Sequence, residues 1–323
     1  MNTLYPFQSH FLDLSGHQYH YLNEGKKENP VLLMVHGNPT WSFYYRELVK
    51  HLCGEFRVIV PDHMGSGYSD KPTEYNYTLQ QHIINLAKLI DYLQLEDITI
   101  FMHDWGGPIS MGYAVQYPQN VKRMVVFNTA AFWMPQVHPG LKILRNTRLG
   151  AYLVRKLNVF VWSGITLASR KKMPDAVKAG YLKPYDSFEN RVGVLAFIKD
   201  IPMEQEGPTY ELLQAIEEKL ALLKEKPMMI IWGEKDPVFT LEFLDKWKEY
   251  FPNAAIKQLP EAGHYVVEDA VEDIQKIVDK FLKQEVATGT SVEDAPEGKQ
   301  EAETSVSLVI KPEGEQEGHT TDE

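Results

Sequence analysis

The amino-acid sequence predicts an α/β fold with a mostly parallel sheet, helices on both faces of that sheet and an inserted helical cap. The first observation is that β-type and helix-length segments alternate from about residue 9 to 283. The second is that several β-type segments are apolar without alternation, as strands covered on both faces are. The third is a stretch of more than 70 residues, from about Thr129 to Met203, that separates the fourth strand from the next one. Because this stretch is too long for a loop, it predicts a subdomain.

The individual elements follow from local patterns. Apolar residues recur every three or four positions over 78–93, which predicts a helix, and the Thr78 hydroxyl is suited to cap its first turn. Six strands are predicted: VLLMVH (31–36), RVIVPD (57–62), ITIFMH (98–103), RMVVFN (123–128), MMIIWG (228–233) and IKQL (256–259).

These elements divide the chain into three parts. We expect an α/β core at 1–128 and 204–284, a helical cap at 129–203, and an acidic, disordered tail at 285–323. The tail holds eleven acidic residues and two lysines, and too few apolar residues to offset the entropy of ordering. Its one apolar run, at 306–310, is a candidate for adding as a strand to a partner's sheet.

Composition excludes several classes of function. The formal charge of −11 offers no basic surface for nucleic acid, and no apolar run reaches the roughly 20 residues of a membrane helix. Cys53 is the single cysteine, so an internal disulfide is excluded, and the first residues lack the pattern of a signal peptide. We therefore expect a cytoplasmic protein that is not an integral membrane protein.

The chemistry is predicted to centre on Asp104. A predicted strand leads directly into this residue, and two glycines and a helix-length segment (108–117) follow it. This is the context of a nucleophile elbow, with aspartate in place of serine and with Met102 in place of the usual first glycine. A carboxylate is ionised at neutral pH, and by displacing a leaving group at saturated carbon it forms an alkyl ester.

Such an ester is cleared by water, which requires a histidine base held by a second carboxylate. His264 lies after the last predicted strand and before the closing helix, where this base is expected. Asp236 follows the strand MMIIWG and is the predicted partner, with Glu234 as the nearest alternative. Donors for the oxyanion and the leaving group are predicted at Asn38 and Trp105, through their backbone N–H groups and their uncharged side-chain N–H groups.

The ordered motifs HGNPTWSFYYR, VPDHMGSGYSDKP, HDWGGPISMGYA, NTAAF, WGEKDPVF and GHYVVED resemble the haloalkane dehalogenase branch of the α/β-hydrolase superfamily. Within that branch the cap is most similar to the β-lactone decarboxylases of bacterial long-chain olefin biosynthesis. The matches in the cap are NTAAF (128–132), RKKMPDAV (170–177), GYLKPYD (180–186), NR (190–191) and KDIP (199–202). The resemblance spans about residues 5–283 and omits the tail.

The resemblance implies an α/β-hydrolase fold with Asp104 as nucleophile, His264 as base, Asp236 as its partner, and Asn38 and Trp105 as leaving-group donors. It implies a small apolar substrate, a cis-3,4-dialkyl oxetan-2-one, which is converted to a cis-alkene and CO2. It implies no metal, flavin or nucleotide cofactor, and a β-lactone synthetase as a plausible protein partner. The ring atom that Asp104 attacks is left open.

Three alternatives remain at this point. A haloalkane dehalogenase would use the same five residues to release halide and an alcohol. An epoxide hydrolase would also need two cap tyrosines as acids, for which Tyr152, Tyr181 and Tyr185 are the candidates. The third alternative is a binding protein without catalytic activity.

Two smaller features complete the predictions. His17 and His20 would face opposite sides of a strand, so we expect no metal site there and place them at the surface or at an edge. Arg170, Lys171 and Lys172 form a basic cluster beside an apolar cap segment, which predicts a peripheral contact with an anionic membrane surface.

Overall fold

One sheet of eight strands, in the order β1-β2-β4-β3-β5-β6-β7-β8, organises the molecule. The computed structural model describes residues 3–284, so the predicted tail and its apolar run at 306–310 lie outside the described residues. β1 and β2 pair antiparallel, β2 pairs antiparallel with β4, and the remaining pairs are parallel. The strands are His10–Leu14, His17–Glu24, Val31–Val35, Arg57–Pro61, Ile98–Asp104, Val121–Thr129, Met228–Gly233 and Ala255–Leu259.

The six predicted strands are all present, as β3 to β8, and their ends differ from the prediction by at most two residues. β4 and β5 are buried along their whole length, as their largely apolar sequences predict. The N-terminal hairpin β1–β2 is absent from the six predicted strands, because its sequences HFLDL and HQYHYLNE mix polar with apolar side chains and contain no continuous apolar run.

The prediction for His20 is wrong, since this residue is completely buried. β2 lies between β1 and β4 and is therefore not an edge strand, so a side chain on its inner face is covered. His17, at the start of the same strand, is half-buried.

Within residues 3–284, twelve α-helices accompany the sheet, and two packed groups of them cover its faces. α1 packs against α12, while α2, α3 and α9 pack against one another. The predicted cap of α2 is confirmed, because the Thr78 side chain accepts a hydrogen bond from the Gln81 N–H at 3.3 Å. The helices are Arg46–Leu52, Leu79–Tyr92, Gly106–Ala114, Pro139–Asn146, Arg148–Leu157, Val159–Ser163, Asp175–Leu182, Val192–Asp200, Pro208–Lys219, Leu241–Tyr250, Val266–Asp269 and Val271–Lys283.

Five of these helices, α4 to α8, lie between β6 and α9 in the region predicted to form the cap. α6 continues into a turn of π-helix at Gly164–Ala168. Side chains of α4, α6 and α8 line a cavity together with residues that follow β3, β5, β6, β7 and β8. The helical insertion therefore covers the carboxyl ends of the parallel strands, where ligands of open α/β sheets bind. Within residues 3–284 there is no helix whose length and apolar character would allow it to span a membrane.

Candidate active site

Asp104 is the last residue of β5, and α3 begins two residues later at Gly106. Its φ of 51° lies in the left-handed region, which costs a non-glycine residue on the order of 1 kcal/mol and is typical of a strained functional turn. The two glycines that follow permit this tight turn. A Cβ atom at Gly106 would overlap the Val35 carbonyl oxygen, and one at Gly107 would overlap the Thr129 side chain.

The two oxygens of the Asp104 carboxylate have different surroundings. Oδ1 accepts a hydrogen bond from the Asn38 backbone N–H at 2.6 Å, whereas Oδ2 lies 3.7 Å from His264 Nε2. Burial raises the pKa of Asp104 above its ordinary value, and His264 with the backbone N–H groups of Asn38 and Trp105 opposes that rise. One oxygen is thus held by backbone donors and the other is directed toward the imidazole.

His264 lies between Asp104 and a second carboxylate. Its Nδ1 donates to Asp236 Oδ2 at 2.8 Å. The backbone of His264 is held on both sides, because its N–H donates to the Ala168 carbonyl at 2.9 Å and its carbonyl accepts from His103 Nε2 at 2.8 Å. Burial alone would lower the pKa of His264, but Asp236 and then Asp104 outweigh burial and raise that pKa above its ordinary value.

Asp236, and not the alternative Glu234, contacts the imidazole. Asp236 Oδ1 accepts the backbone N–H groups of Val238 at 2.7 Å and Phe239 at 3.1 Å, which fixes the carboxylate while Oδ2 faces His264. Glu234 instead accepts a hydrogen bond from the Gln258 side chain at 3.2 Å. The tight turn after β7 therefore selects one of the two acids that the sequence left open.

Asn38 and Trp105 both line the cavity together with Asp104 and His264. The Asn38 side-chain amide donates to the Val194 carbonyl of α8 at 3.2 Å, which uses one of its two N–H bonds. The Trp105 ring packs against Phe197 of α8, with a centroid distance of 5.4 Å. The structure thus brings four of the five predicted site residues to the wall of one cavity, and the fifth, Asp236, contacts His264 from behind that wall.

The cavity has a volume of about 690 Å³ and is lined mainly by apolar side chains from the core and the cap. An apolar chamber with a few convergent polar groups fits a small apolar ligand. A second cavity of about 720 Å³ is lined by residues of α9 and α10 and includes glutamates and lysines, but it contains none of the five site residues. The first cavity is therefore the candidate active site.

The three tyrosines proposed for an epoxide hydrolase do not line the cavity. Tyr152 is exposed, Tyr181 donates to Glu268 at 2.5 Å, and Tyr185 donates to the Thr40 carbonyl at 3.3 Å. No tyrosine pair is thus available where an epoxide oxygen would lie.

Asp269 was missed at the sequence level. Its buried carboxylate accepts the N–H groups of Gly263 at 2.8 Å and of Lys171 at 2.9 Å, together with the Ser169 hydroxyl at 2.7 Å. It thereby connects the end of the cap to the loop that carries His264. The available signal was an acid five residues after His264, which is too common a pattern to be recognised alone.

Among residues 3–284 there is no group of three or more histidine, cysteine, aspartate and glutamate side chains that could hold a metal ion. The donors that surround Asp104 are backbone N–H groups, an amide and an indole, which suit an anion and not a cation.

Comparisons with known proteins agree with this architecture. The family of the α/β hydrolase fold matches residues 30–271. A cis-3-alkyl-4-alkyloxetan-2-one decarboxylase from Shewanella oneidensis is 42% identical over 304 residues, which cover 91% of this chain and 94% of that protein. A haloalkane dehalogenase from Mycobacterium bovis is 33% identical over 86% of this chain and 96% of its own length.

Among solved structures, the haloalkane dehalogenase DbeA from Bradyrhizobium elkani superposes with a TM-score of 0.78 at 24% identity, covering 85% of this chain and 97% of that one. That likeness confirms the fold predicted from the sequence. The chain belongs to the α/β-hydrolase fold family, in the group that contains these decarboxylases and haloalkane dehalogenases.

Proposed function

We propose that this protein is a β-lactone decarboxylase that converts cis-3,4-dialkyl oxetan-2-ones to cis-alkenes and CO2, with Asp104, His264 and Asp236 as its catalytic triad. The observation that carries the proposal is the 42% identity to a decarboxylase along 94% of that protein, against 33% for the dehalogenase. The apolar cavity around Asp104 supports a dialkyl substrate. Asn38 and Trp105 are the proposed leaving-group donors.

The first step is attack by Asp104 Oδ2 on the ring carbon that bears the lactone oxygen. A bond forms between Oδ2 and this carbon, the carbon–oxygen ring bond breaks, and its electron pair leaves the substrate as a carboxylate. Attack on the carbonyl would instead create an oxyanion that needs backbone donors, yet the Asn38 N–H already binds Asp104 Oδ1 at 2.6 Å. The uncharged N–H groups of Asn38 and Trp105 would bind the departing carboxylate.

The second step is fragmentation of the bound carboxylate. The carbon–carbon bond to the carboxylate supplies the electrons of the alkene, CO2 leaves, and the ester bond to Asp104 breaks with its electron pair on Oδ2. Inversion in the first step followed by anti cleavage in the second retains the cis geometry. The protonated His264, 3.7 Å from Oδ2, stabilises the carboxylate that is restored. Together the two reaction steps consume neither water nor a proton.

Haloalkane hydrolysis is the second candidate function, because the 33% identical relative is a dehalogenase and the same donors suit a halide. In that reaction Asp104 forms a stable alkyl ester, which only water can clear. His264 must then be neutral, so that it accepts the proton of the water. The two reactions thus require different protonation states of one imidazole.

Product analysis tests the proposal. Purified protein is incubated with a cis-dialkyl β-lactone and, separately, with 1-bromohexane or 1-iodobutane, and alkene, CO2 and halide are measured. We expect alkene and CO2 in equal amounts from the lactone. If the haloalkane releases halide and the lactone yields no alkene, the dehalogenase becomes the better assignment.

Replacing the nucleophile tests the triad. Asp104→Asn removes the charged oxygen, and we expect a loss of about 10⁴-fold or more in turnover of the lactone, because an amide is not a comparable nucleophile. Glu234→Gln is the matched control, since Glu234 contacts Gln258 and not His264. Equal turnover by Asp104→Asn and the unchanged protein would contradict the proposal.

A cytoplasmic location and cooperation with a lactone-forming synthetase belong to the same proposal. A strained four-membered lactone must be supplied by an enzyme that closes the ring of a 3-hydroxy acid. The division into a core at 1–128 and 204–284, a cap at 129–203 and a tail remains part of our interpretation of the chain.

A further inference from the structure

The cap carries an unbalanced positive charge. Residues 139–172 contain eight lysines and arginines and no aspartate or glutamate, although the whole chain has a formal charge of −11. None of the eight takes part in an ion pair within residues 3–284. The eight residues are Lys142, Arg145, Arg148, Arg155, Lys156, Arg170, Lys171 and Lys172.

The same segment exposes an unusual amount of apolar surface. Of the thirteen large apolar side chains that are exposed in the described part of the chain, six lie between residues 143 and 167. They are Ile143, Leu149, Tyr152, Leu157, Trp162 and Leu167. On α5, the exposed residues Arg148, Leu149, Tyr152 and Lys156 share one face of the helix, because they lie within 100° of one another at 100° per residue.

This surface includes the rim of the substrate cavity. Ile143 and Leu167 are 54% and 69% exposed, and both line the cavity that contains Asp104. Arg170 also lines that cavity and is exposed. A ligand that enters along these side chains therefore passes from an apolar, basic outer surface directly into the apolar chamber.

We propose that the cap surface, defined as the exposed side chains of residues 142–172, binds a membrane whose surface carries anionic phospholipids. Exposed aliphatic and aromatic side chains interleaved with basic ones that form no ion pair are typical of elements that lie in a membrane interface. A folded protein partner would have to match the charges with acids and the apolar side chains with pockets, whereas a bilayer accommodates both at any lateral position.

Binding through the cap surface places the cavity rim against the bilayer. A dialkyl lactone dissolves in the bilayer, so this orientation lets it reach Asp104 between Ile143 and Leu167 without crossing water. This second statement rests on the proposed decarboxylase function, whereas membrane binding itself does not.

Vesicle co-sedimentation of the full chain tests the electrostatic part. The probes are vesicles of phosphatidylcholine alone and of phosphatidylcholine mixed with phosphatidylglycerol. The variant K156E/K171E/K172E changes three exposed cap lysines, and the control K88E/K122E/K257E makes the same charge change at exposed lysines outside the cap. We expect binding to the anionic vesicles only, and a loss of at least about 100-fold in the cap variant but not in the control.

The apolar part has its own matched pair. Leu149→Ser with Leu157→Ser removes exposed cap leucines, and Leu222→Ser with Leu241→Ser removes leucines that are 57% and 40% exposed elsewhere. We expect about tenfold weaker sedimentation for the cap pair, because its two side chains no longer insert, and no change for the control pair. Melting temperatures of all variants establish that they are folded.

Three results would overturn membrane binding by the cap surface: no sedimentation with either vesicle, equal sedimentation with both, or equal loss in cap and control variants.

Transfer of the lactone from the bilayer to the cavity is measured separately. Turnover of a long-chain lactone dissolved in anionic vesicles should fall in K156E/K171E/K172E, while turnover of a short-chain lactone in water should not. If neither lactone reacts with the unchanged protein, the proposed function fails, but the sedimentation result stands independently.

Discussion

The His264–Asp236 pair and the His20–Asp62 pair have the same separation of 2.8 Å between Nδ1 and the nearer carboxylate oxygen, and the side chains of both pairs are at most 7% exposed. Their second nitrogens differ. Nε2 of His264 lies 3.7 Å from Asp104 at a cavity, whereas Nε2 of His20 lies 3.0 Å from the Ser9 hydroxyl. Only the first pair faces a carboxylate that lines a cavity.

The carboxylates differ in the same sense. Asp62 accepts the backbone N–H groups of Ser42 at 2.6 Å and Tyr68 at 2.8 Å, so it joins two loops to the hairpin that carries His20. A short histidine–aspartate contact is therefore insufficient evidence for a catalytic pair. Access of the second nitrogen to a nucleophile and to a cavity decides which pair can do chemistry.

The largest expected effect comes from removing the two histidines in turn. His264→Ala should reduce haloalkane hydrolysis by about 10⁴-fold, because no base remains for the water that clears the ester. Intact mass spectrometry should show the alkyl adduct on Asp104. His20→Ala should leave the rate per folded molecule nearly unchanged while lowering the melting temperature, and a comparable loss of turnover in both variants would contradict the comparison.

The same His264→Ala protein sharpens the proposed lactone mechanism. Fragmentation consumes no water, so lactone turnover should fall much less than haloalkane hydrolysis does. Accumulation of an acyl adduct from the lactone would instead indicate attack on the carbonyl.

Variants of Asp236 and Asp62 should differ from each other as the two histidine variants do, with smaller effects. Asp236→Asn should reduce haloalkane hydrolysis about 1000-fold with little change in stability, because the amide no longer favours the imidazolium. Asp62→Asn should lower the free energy of unfolding by about 3 kcal/mol, because it breaks a buried pair and places a second donor against backbone N–H groups. Urea unfolding measures the stability of both variants, and ester hydrolysis rates measure their activity. A loss of stability in Asp236→Asn together with a loss of hydrolysis in Asp62→Asn would contradict the prediction.

Asp200, a half-buried carboxylate, shows what happens without an imidazole. It accepts the Leu79 N–H at 2.7 Å and the Thr209 hydroxyl at 2.6 Å, and burial raises the pKa of Asp200 to about 6. A raised carboxyl pKa contributes stability that is present at low pH and is lost as the pH rises through that value. Asp200→Asn should therefore raise the free energy of unfolding by about 2 kcal/mol at pH 8 and hardly at all near pH 4.

The control for Asp200 is Asp175→Asn, since the Asp175 side chain is 99% exposed. Urea unfolding at the two pH values should show no change for this variant. A destabilised Asp200→Asn at pH 8 would mean that its hydrogen bonds outweigh the cost of burying the charge.

The smallest effect is the pH dependence of the two reactions. Asp236 and Asp104 raise the pKa of His264 above its ordinary value, so the neutral base disappears as the pH falls through that raised value. Ester hydrolysis should then decrease about tenfold for each further pH unit. Lactone turnover does not need the neutral base and should lack this acidic limb. Single-turnover rates across the pH range measure both, and matching profiles would imply a shared requirement for a base.

The sequence by itself determined the parts that depend on local pattern. Largely apolar segments predicted β3 to β7, and the parallel arrangement then placed Asp104 at the carboxyl edge of the sheet, where His264 also lies after the more polar β8. These predictions succeed because burial on both faces leaves a signature in each segment alone.

Tertiary structure alone decided what depends on contacts between distant segments. Such contacts decided that Asp236 and not Glu234 binds the imidazole, and that His20 is buried in a strand inside the sheet. They also decided that Asp269 connects the end of the cap to the loop of His264, and that apolar side chains are exposed on a basic cap. Ser169 and Asp269, for example, are 100 positions apart in the sequence. The periodicity within one segment contains no information on which distant surface will cover that segment. Packing of the whole chain supplies that information, because the free energy of burying a side chain depends on its neighbours in space.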